Sequence, residues 1–386
     1  MIPYGRQDIT QSDIDAVVDA MRSDFITQGP LVPRFEQEIC SMTGAKYAVA
    51  VNSATSALHI ACLALGLGKG DWLWTSPITF VASANCGLYC GAGVDFVDID
   101  PATYNLSVEG LEKKLILAEK NGCLPKVLVP VHMCGQSCDM NAISKLAKRY
   151  GFQVVEDASH AIGGKYKNKS IGNCFYSDIT VFSFHPVKII TSAEGGMATT
   201  NDPELAKRMC RLRSHGITRD ENEMTHKSEG AWYYEQVDLG FNYRMTELHA
   251  ALGLSQFTRL DLYVERRHEL AKTYDNLLKM LPVVTPWRHP DNYSAFHLYV
   301  IRLDLQKIKN SYREIFENLR ELGVGVNLHY IPVHTQPFYE KLGFDKFDYP
   351  NALKYSSEAL SLPLYPTLTE SQQEEVVRCL KLVMGC

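Results

Sequence analysis

Between Tyr47 and Ala198, short apolar runs return along the chain, most of the earlier ones separated by stretches with apolar residues every three or four positions. The runs Tyr47–Val51, Trp72–Thr75, Val94–Ile99, Lys126–Val131, Phe152–Val155, Ile179–Phe184 and Gly196–Thr199 read as strands. Thr55–Leu67 and Met140–Tyr150 read as helices between them. Continuous apolar strands alternating with helices predict a mainly parallel sheet covered on both faces, an α/β fold. In such sheets ligands bind beyond the carboxyl ends of the strands. Chemistry is therefore expected where the apolar runs stop.

The flanking segments follow other patterns. In residues 1–45, Ile9, Ile14, Val17, Val18 and Met21 recur at helical spacing, Gln28-Gly29-Pro30 breaks the chain, and a second short helix starts near Pro33. After the last strand, 203–214 reads as a helix and 216–240 as a polar, aromatic-rich loop. A long helical stretch is predicted from Thr246 to Met280, then a strand over Phe296–Leu303, a helix over Ser311–Leu322, a short strand near Val324–Leu328, and closing helices near 351–361 and 369–384. The expected organisation is an N-terminal arm (1–45), a large domain (46–245), and a long connecting helix with a small C-terminal α+β domain (246–386).

Composition narrows the function classes. Apolar residues make up 46% and charged residues 22% of 386, the balance of a soluble globular chain. A net charge of −5 gives no reason to expect nucleic acid or an anionic membrane as partner. No apolar run approaches the ~20 residues that span a bilayer, and the first residues lack the basic start and apolar core of a secretion signal. The eleven cysteines are scattered, without histidines at zinc spacing, and read as reduced thiols in a cytoplasmic protein with no metal.

Four segments carry candidate chemistry. Val155-Glu156-Asp157-Ala158-Ser159-His160-Ala161 places acidic residues where a buried strand ends. An acidic residue there is a common helix cap, but a carboxylate can also hold a ligand's positive charge, as the pyridine nitrogen of pyridoxal phosphate requires. Phe182-Ser183-Phe184-His185-Pro186-Val187-Lys188 puts a lysine 31 residues after Asp157, beyond another strand. Lysine is the residue that forms an aldimine with that cofactor, and it must lose its proton to do so. Two glycines close the segment that follows, Ile189–Gly196. Asn52-Ser53-Ala54-Thr55-Ser56-Ala57-Leu58 joins a strand to a helix; small hydroxyl residues and free amides at a helix start can cap it or seat a phosphate. Phe80, after Ser76-Pro77 and Thr79, is core or a ring that stacks on the cofactor.

In order, these segments resemble the cofactor motifs of the DegT/DnrJ/EryC1/StrS sugar aminotransferases, and the resemblance covers the whole chain. Phe25-Ile26-Thr27-Gln28-Gly29-Pro30 resembles their N-terminal arm, and Gly240-Phe241-Asn242-Tyr243-Arg244-Met245 the loop that reaches the neighbouring subunit. The resemblance implies a fold-type I aminotransferase with pyridoxal 5'-phosphate held as an aldimine on Lys188. Its cofactor residues would be Thr55, Ser56, Phe80, Asp157, His160, Ser183 and Lys188, with Asn242 reaching the partner's phosphate. It further implies a homodimer with shared active sites and L-glutamate as amino donor. The stretch from Ser183 to Gly196, with Ser214-His215-Gly216 and His329-Tyr330-Ile331-Pro332-Val333-His334, is most similar to the pseudaminic acid transaminases. Those act on a UDP-4-keto sugar, and 4-amino-arabinose transaminases share much of the lysine motif. Thr27, His185, Glu194, His215, Arg244, His329 and Tyr330 are the substrate-contacting residues expected on that resemblance. Dehydratase relatives carry histidine where this chain has Lys188, and a non-catalytic regulator would not need the Asp157, Ser183 and Lys188 set.

Overall fold

Seven short runs of mostly buried side chains assemble into one sheet. They are β1 (Tyr47–Val51), β2 (Trp72–Thr75), β3 (Gly93–Phe96), β4 (Val127–Val129), β5 (Gln153–Asp157), β6 (Ile179–Ser183) and β7 (Gly196–Thr200), in a computed structural model that describes residues 1–385. Their spatial order is β1-β7-β6-β5-β4-β2-β3. Neighbours from β6 through β3 pair in parallel, and β7 runs antiparallel to both β6 and β1. Strands β4, β6 and β7 are buried at every residue, which is why they show no polar alternation.

The helices are set by local chemistry. α1 (Gln11–Arg22) and α2 (Leu31–Thr43) form the arm. α3 (Ala54–Ala64) is capped by Ser53, which accepts the Ser56 amide, and is buried over most of its surface because it packs between the sheet and the neighbouring helices. It stops at Ala64 rather than Leu67, since Gly66 turns to a φ of 74°. α4 (Ala82–Tyr89) follows Phe80. α5 (Val108–Asn121) and α6 (Met140–Tyr150) start at the caps Ser107 and Asp139 and end at the left-handed glycines Gly122 and Gly151. α7 (Pro203–Leu212) begins at the cap Asp202.

Three expectations from the sequence need correction. The helix expected from Thr246 to Met280 is two helices, α8 (Glu247–Phe257) and α9 (Leu260–Leu278). At the junction Arg259 leaves helical geometry, and its guanidinium bonds Asp13 of α1 at 2.7 and 2.8 Å. Ser255 and Gln256 also donate to Asp13, so a fully buried carboxylate ties the arm to this break. Near Val324–Leu328 there is no continuous strand, only bridges from Val324 to Ile2 and from Asn327 to Ser361. The chain's own start occupies that edge, with Ile2 N–H donating to Gly323 and Gly325 N–H donating to Ile2, both at 2.7 Å. The helix expected over 351–361 runs Pro350–Glu358, and Ala359–Leu362 is a buried strand paired with Tyr299–Leu303.

The C-terminal elements pack around Tyr274, Tyr299, Ile301, Leu360 and Val376. The cluster beneath the large sheet also takes in Leu298, Val300, Tyr339 and Tyr355 from that half of the chain. Packing between the two halves is therefore continuous, and it closes a cavity at the carboxyl edge of the sheet. No helix among the described residues is long and apolar enough to cross a membrane.

Candidate active site

The strand alternation at the end of β5 sends two neighbouring carboxylates to opposite faces. Glu156 turns inward, where His132 Nε2–H donates at 2.6 Å and the Ser177 and Thr180 hydroxyls also donate. The His132 ring accepts the Cys138 amide at Nδ1, which leaves its Nε2 proton pointing toward Glu156. Glu156 thus completes a buried structural network. Asp157 faces the cavity, 5% exposed. One of its oxygens accepts the Ser159 amide at 3.1 Å and the other the Ser83 hydroxyl at 2.6 Å.

Strand β6 delivers Ser183 to the same edge, and the turn after it carries His185, Val187 and Lys188. Burial lowers the Lys188 amine to about 8, with Asp157 opposing the drop. A neutral amine is thereby available near neutral pH. From α3 come Ala54 and Thr55, whose first-turn amides have no intrahelical acceptors. Phe80, 59% exposed, forms one wall, and Asn327 to Tyr330 form another. The enclosed space is about 550 Å³.

Three histidines of the cavity, His160, His297 and His329, are held neutral. His160 is driven well below the ordinary histidine range by burial, then by Lys188 and His329. Its Nε2 meets the Tyr330 hydroxyl at 3.1 Å, and its Nδ1 is buried with no partner among the described residues. His329 falls to about 4 through burial and Lys188, and its Nδ1 meets Ser361 Oγ at 2.7 Å. His297 is lowered for the same reasons, and its ring lies 4.4 Å from that of His160.

Of the residues expected from the sequence, Thr55, Phe80, Asp157, His160, Ser183, His185, Lys188, Glu194, His329 and Tyr330 share this cavity. Ser56 does not line it. Its hydroxyl bonds Asn52 Oδ1 at 2.7 Å and Ser53 Oγ at 2.9 Å, so the side chain stiffens the loop instead. Thr27, His215, Asn242 and Arg244 also lie outside the cavity of their own chain. Thr27, His215 and Asn242 are exposed, and Arg244 bridges the end of β1 through its backbone. Tyr4, Ser83, His297 and Asn327 escaped the sequence reading. The four-residue spacing of the hydroxyl residues Thr79 and Ser83, across the start of α4, was a signal for Ser83. Tyr4 carried none, because it reaches the cavity only through the edge pairing of Ile2.

The residues fit pyridoxal phosphate. A carboxylate faces a low-pKa lysine across the cavity, an exposed ring forms a wall, a capped helix start supplies free amides, and a buried imidazole nitrogen lacks a partner. Fold and site together define a pyridoxal-phosphate-dependent aminotransferase. The chain belongs to the DegT/DnrJ/EryC1/StrS aminotransferase family, whose pattern matches residues 7–381. It is 40% identical to the spore coat polysaccharide biosynthesis protein SpsC of Bacillus subtilis, over 98% of this chain and 96% of that one. It is 38% identical to a UDP-4-amino-4,6-dideoxy-N-acetyl-beta-L-altrosamine transaminase of Campylobacter jejuni, over 95% and 93%. Spr1654 of Streptococcus pneumoniae, solved in PMP, PLP and apo forms, superposes in its PMP form with a TM-score of 0.91 at 30% identity, over 100% and 99% of the two chains. The protein is a sugar aminotransferase that uses pyridoxal phosphate.

Proposed function

We propose that this chain moves the amino group of L-glutamate to C4 of a UDP-linked 2-acetamido-2,6-dideoxy-4-keto-hexose. The product would be UDP-4-amino-4,6-dideoxy-N-acetyl-beta-L-altrosamine, the compound in the name of the Campylobacter jejuni relative. The observation that carries amino transfer is Lys188, an amine lowered to about 8 in the same cavity as Asp157.

Bound pyridoxal phosphate supplies an electron sink for the carbon that loses or gains a proton. Lys188 Nζ would hold the cofactor between turnovers. When released, it takes the proton from Cα of glutamate in one half-reaction and delivers one to C4 of the sugar in the other. Asp157 keeps the ring nitrogen protonated. Thr55, Ser183 and the first amides of α3 hold the phosphate. Phe80 would cover the ring face, and His160, whose Nδ1 has no partner among the described residues, would bond the ring's phenolic oxygen or brace Asp157. His185, Glu194, His329 and Tyr330 face the sugar nucleotide.

The second reading is a UDP-4-amino-4-deoxy-L-arabinose-type or other nucleotide-sugar 4-aminotransferase, and the 40% identity with a protein named for spore coat polysaccharide biosynthesis favours testing other sugars. Both are tested by giving the purified protein glutamate and a panel of UDP- and dTDP-4-keto sugars, with products weighed by mass spectrometry. Amination of the UDP-2-acetamido sugar in preference to the others is expected. Amination of a dTDP sugar alone would reverse the substrate assignment and leave the reaction class standing.

A further inference from the structure

Asp157 is one of two acidic residues that line the cavity, with Glu194, and its backbone is fixed on both sides. Its amide donates to Pro130 and its carbonyl accepts from His132, at 2.9 and 3.0 Å. The remaining freedom is the torsion of the carboxylate, which the Ser159 amide holds at Oδ1 and a residue of another element holds at Oδ2. Ser83, in the first turn of α4 and fully buried, meets Asp157 Oδ2 at 2.6 Å. Behind it, Thr79 Oγ1 lies 2.7 Å from Ser83 Oγ, with Thr79 only 2% exposed.

The direction of this chain is forced. A hydroxyl has one hydrogen and an ionised carboxylate has none to give. Ser83 therefore donates to Asp157, and Thr79 must donate to Ser83. A buried relay, Thr79 to Ser83 to Asp157, ends on a single carboxylate oxygen. Charge-assisted bonds of this length are the stronger class. Successive hydroxyls in a buried chain also polarise one another.

We propose that Ser83 is a positioning residue, backed by Thr79, that orients the Asp157 carboxylate toward the cofactor's ring nitrogen. The proposal rests on the reading of Asp157 as the partner of that nitrogen. It also links α4 to the stacking ring, because Phe80 lies two residues before the helix whose first turn aims the carboxylate. Stacking and protonation of the ring are thereby referred to one rigid segment.

The test uses the full chain loaded with pyridoxal phosphate and reads three quantities. These are the pH midpoint of the visible absorbance of the cofactor on Lys188, the dissociation constant for pyridoxal phosphate, and kcat and KM for glutamate. A less firmly protonated ring nitrogen withdraws less charge from the lysine linkage, so Ser83→Ala should raise the absorbance midpoint by about half a unit or more. kcat should fall about tenfold, the size of a lost hydrogen bond to a charged group, with KM little changed. Ser83→Thr, which keeps the hydroxyl, should restore both. Thr79→Val, which leaves the carboxylate's own partner in place, should move the midpoint in the same direction by less. Asp157→Asn serves as the reference and should move it furthest. If Ser83→Ala leaves the midpoint and kcat unchanged while Asp157→Asn shifts them, the positioning role is wrong and the Asp157 reading survives. If Asp157→Asn shifts nothing, both fall.

Discussion

Lys188 shows how one side chain is shaped by where its strand ends. An amine on the surface would titrate near the lysine reference of 10.5, whereas here burial brings it to about 8 and Asp157 only partly opposes this. The sign of the consequence follows from proton counting. Between about pH 8 and 10.5 the folded chain binds fewer protons than the unfolded chain, so this group makes stability rise with pH across that window. Below pH 8 the full cost of holding a cation in the cavity is present. Without cofactor, a Lys188→Met variant should therefore melt higher than the native chain at pH 7, and the difference should close as the pH approaches 10.5. An equal difference at both pH values would mean that the amine is solvated as on any surface. The same residue is the expected point of covalent attachment. Borohydride should abolish the yellow colour of the loaded protein and leave a reduced adduct that peptide mapping finds on Lys188, and an adduct on any other lysine would remove it from its role. Asp157→Asn should lower the rate by several orders of magnitude, as loss of one partner of a buried ion pair costs about 3–5 kcal/mol. Near-normal turnover would end that assignment.

At the scale of elements, the phosphate seat depends on how closely β7 passes the start of α3. A Cβ on Gly196 would lie 2.5 Å from the carbonyl carbon and oxygen of Ser53 and 2.6 Å from the Ala54 nitrogen. These are backbone atoms at the cap of α3, and they cannot swing aside as a side chain would. Gly196→Ala should push the helix start away from the sheet, at a cost of about 1–3 kcal/mol for overpacking. Pyridoxal phosphate should then bind about tenfold or more weakly. Equilibrium dialysis and a thermal melt measure the two effects, and unchanged values in both would show that the contact is not needed. The pair of glycines closing the lysine segment was visible in the sequence, but the distance that makes the second one necessary was not. The same division runs through the fold. All seven strands of the large sheet were readable because each is a compact apolar run, and Lys188 and Asp157 were readable because they stand where such runs stop. The break between α8 and α9 was hidden, since the apolar spacing continues across it and the cause is Asp13, 246 positions before Arg259. Ala359–Leu362 looked like the end of a helix because a fully buried strand shows no alternation. His297 is silent at short range for the same reason as Asp13: its partners, such as His160, are distant in the chain and adjacent only in the fold.

The whole molecule raises the question of what the exposed motif residues do. Phe25, Ile26, Trp232 and Leu239 are large apolar side chains left 55 to 78% exposed on the arm and the 216–240 segment. Asn242 is also exposed, although its neighbours are anchored beside the phosphate seat. The Tyr243 carbonyl accepts the Asn52 amide at 2.8 Å, and Arg244 bridges Val51. A segment that holds its own seat with one residue and turns the preceding asparagine outward is suited to a second subunit's seat across a two-fold axis. We propose a homodimer in which each site takes Lys188, Asp157 and Ser183 from one chain and Asn242 from the other. Isologous dimers are the commonest soluble assemblies. Complementation tests the sharing itself. A Lys188→Ala chain and an Asn242→Trp chain, each inactive as a homodimer, are mixed under conditions in which subunits exchange. A mixed dimer has one site with both lesions and one with neither. If chains exchange freely and equally, half the dimers are mixed and each has one intact site of two, so activity should return to about a quarter of the native value. Native mass spectrometry establishes that mixed dimers have formed. If they form and no activity returns, Asn242 does not complete the partner's site.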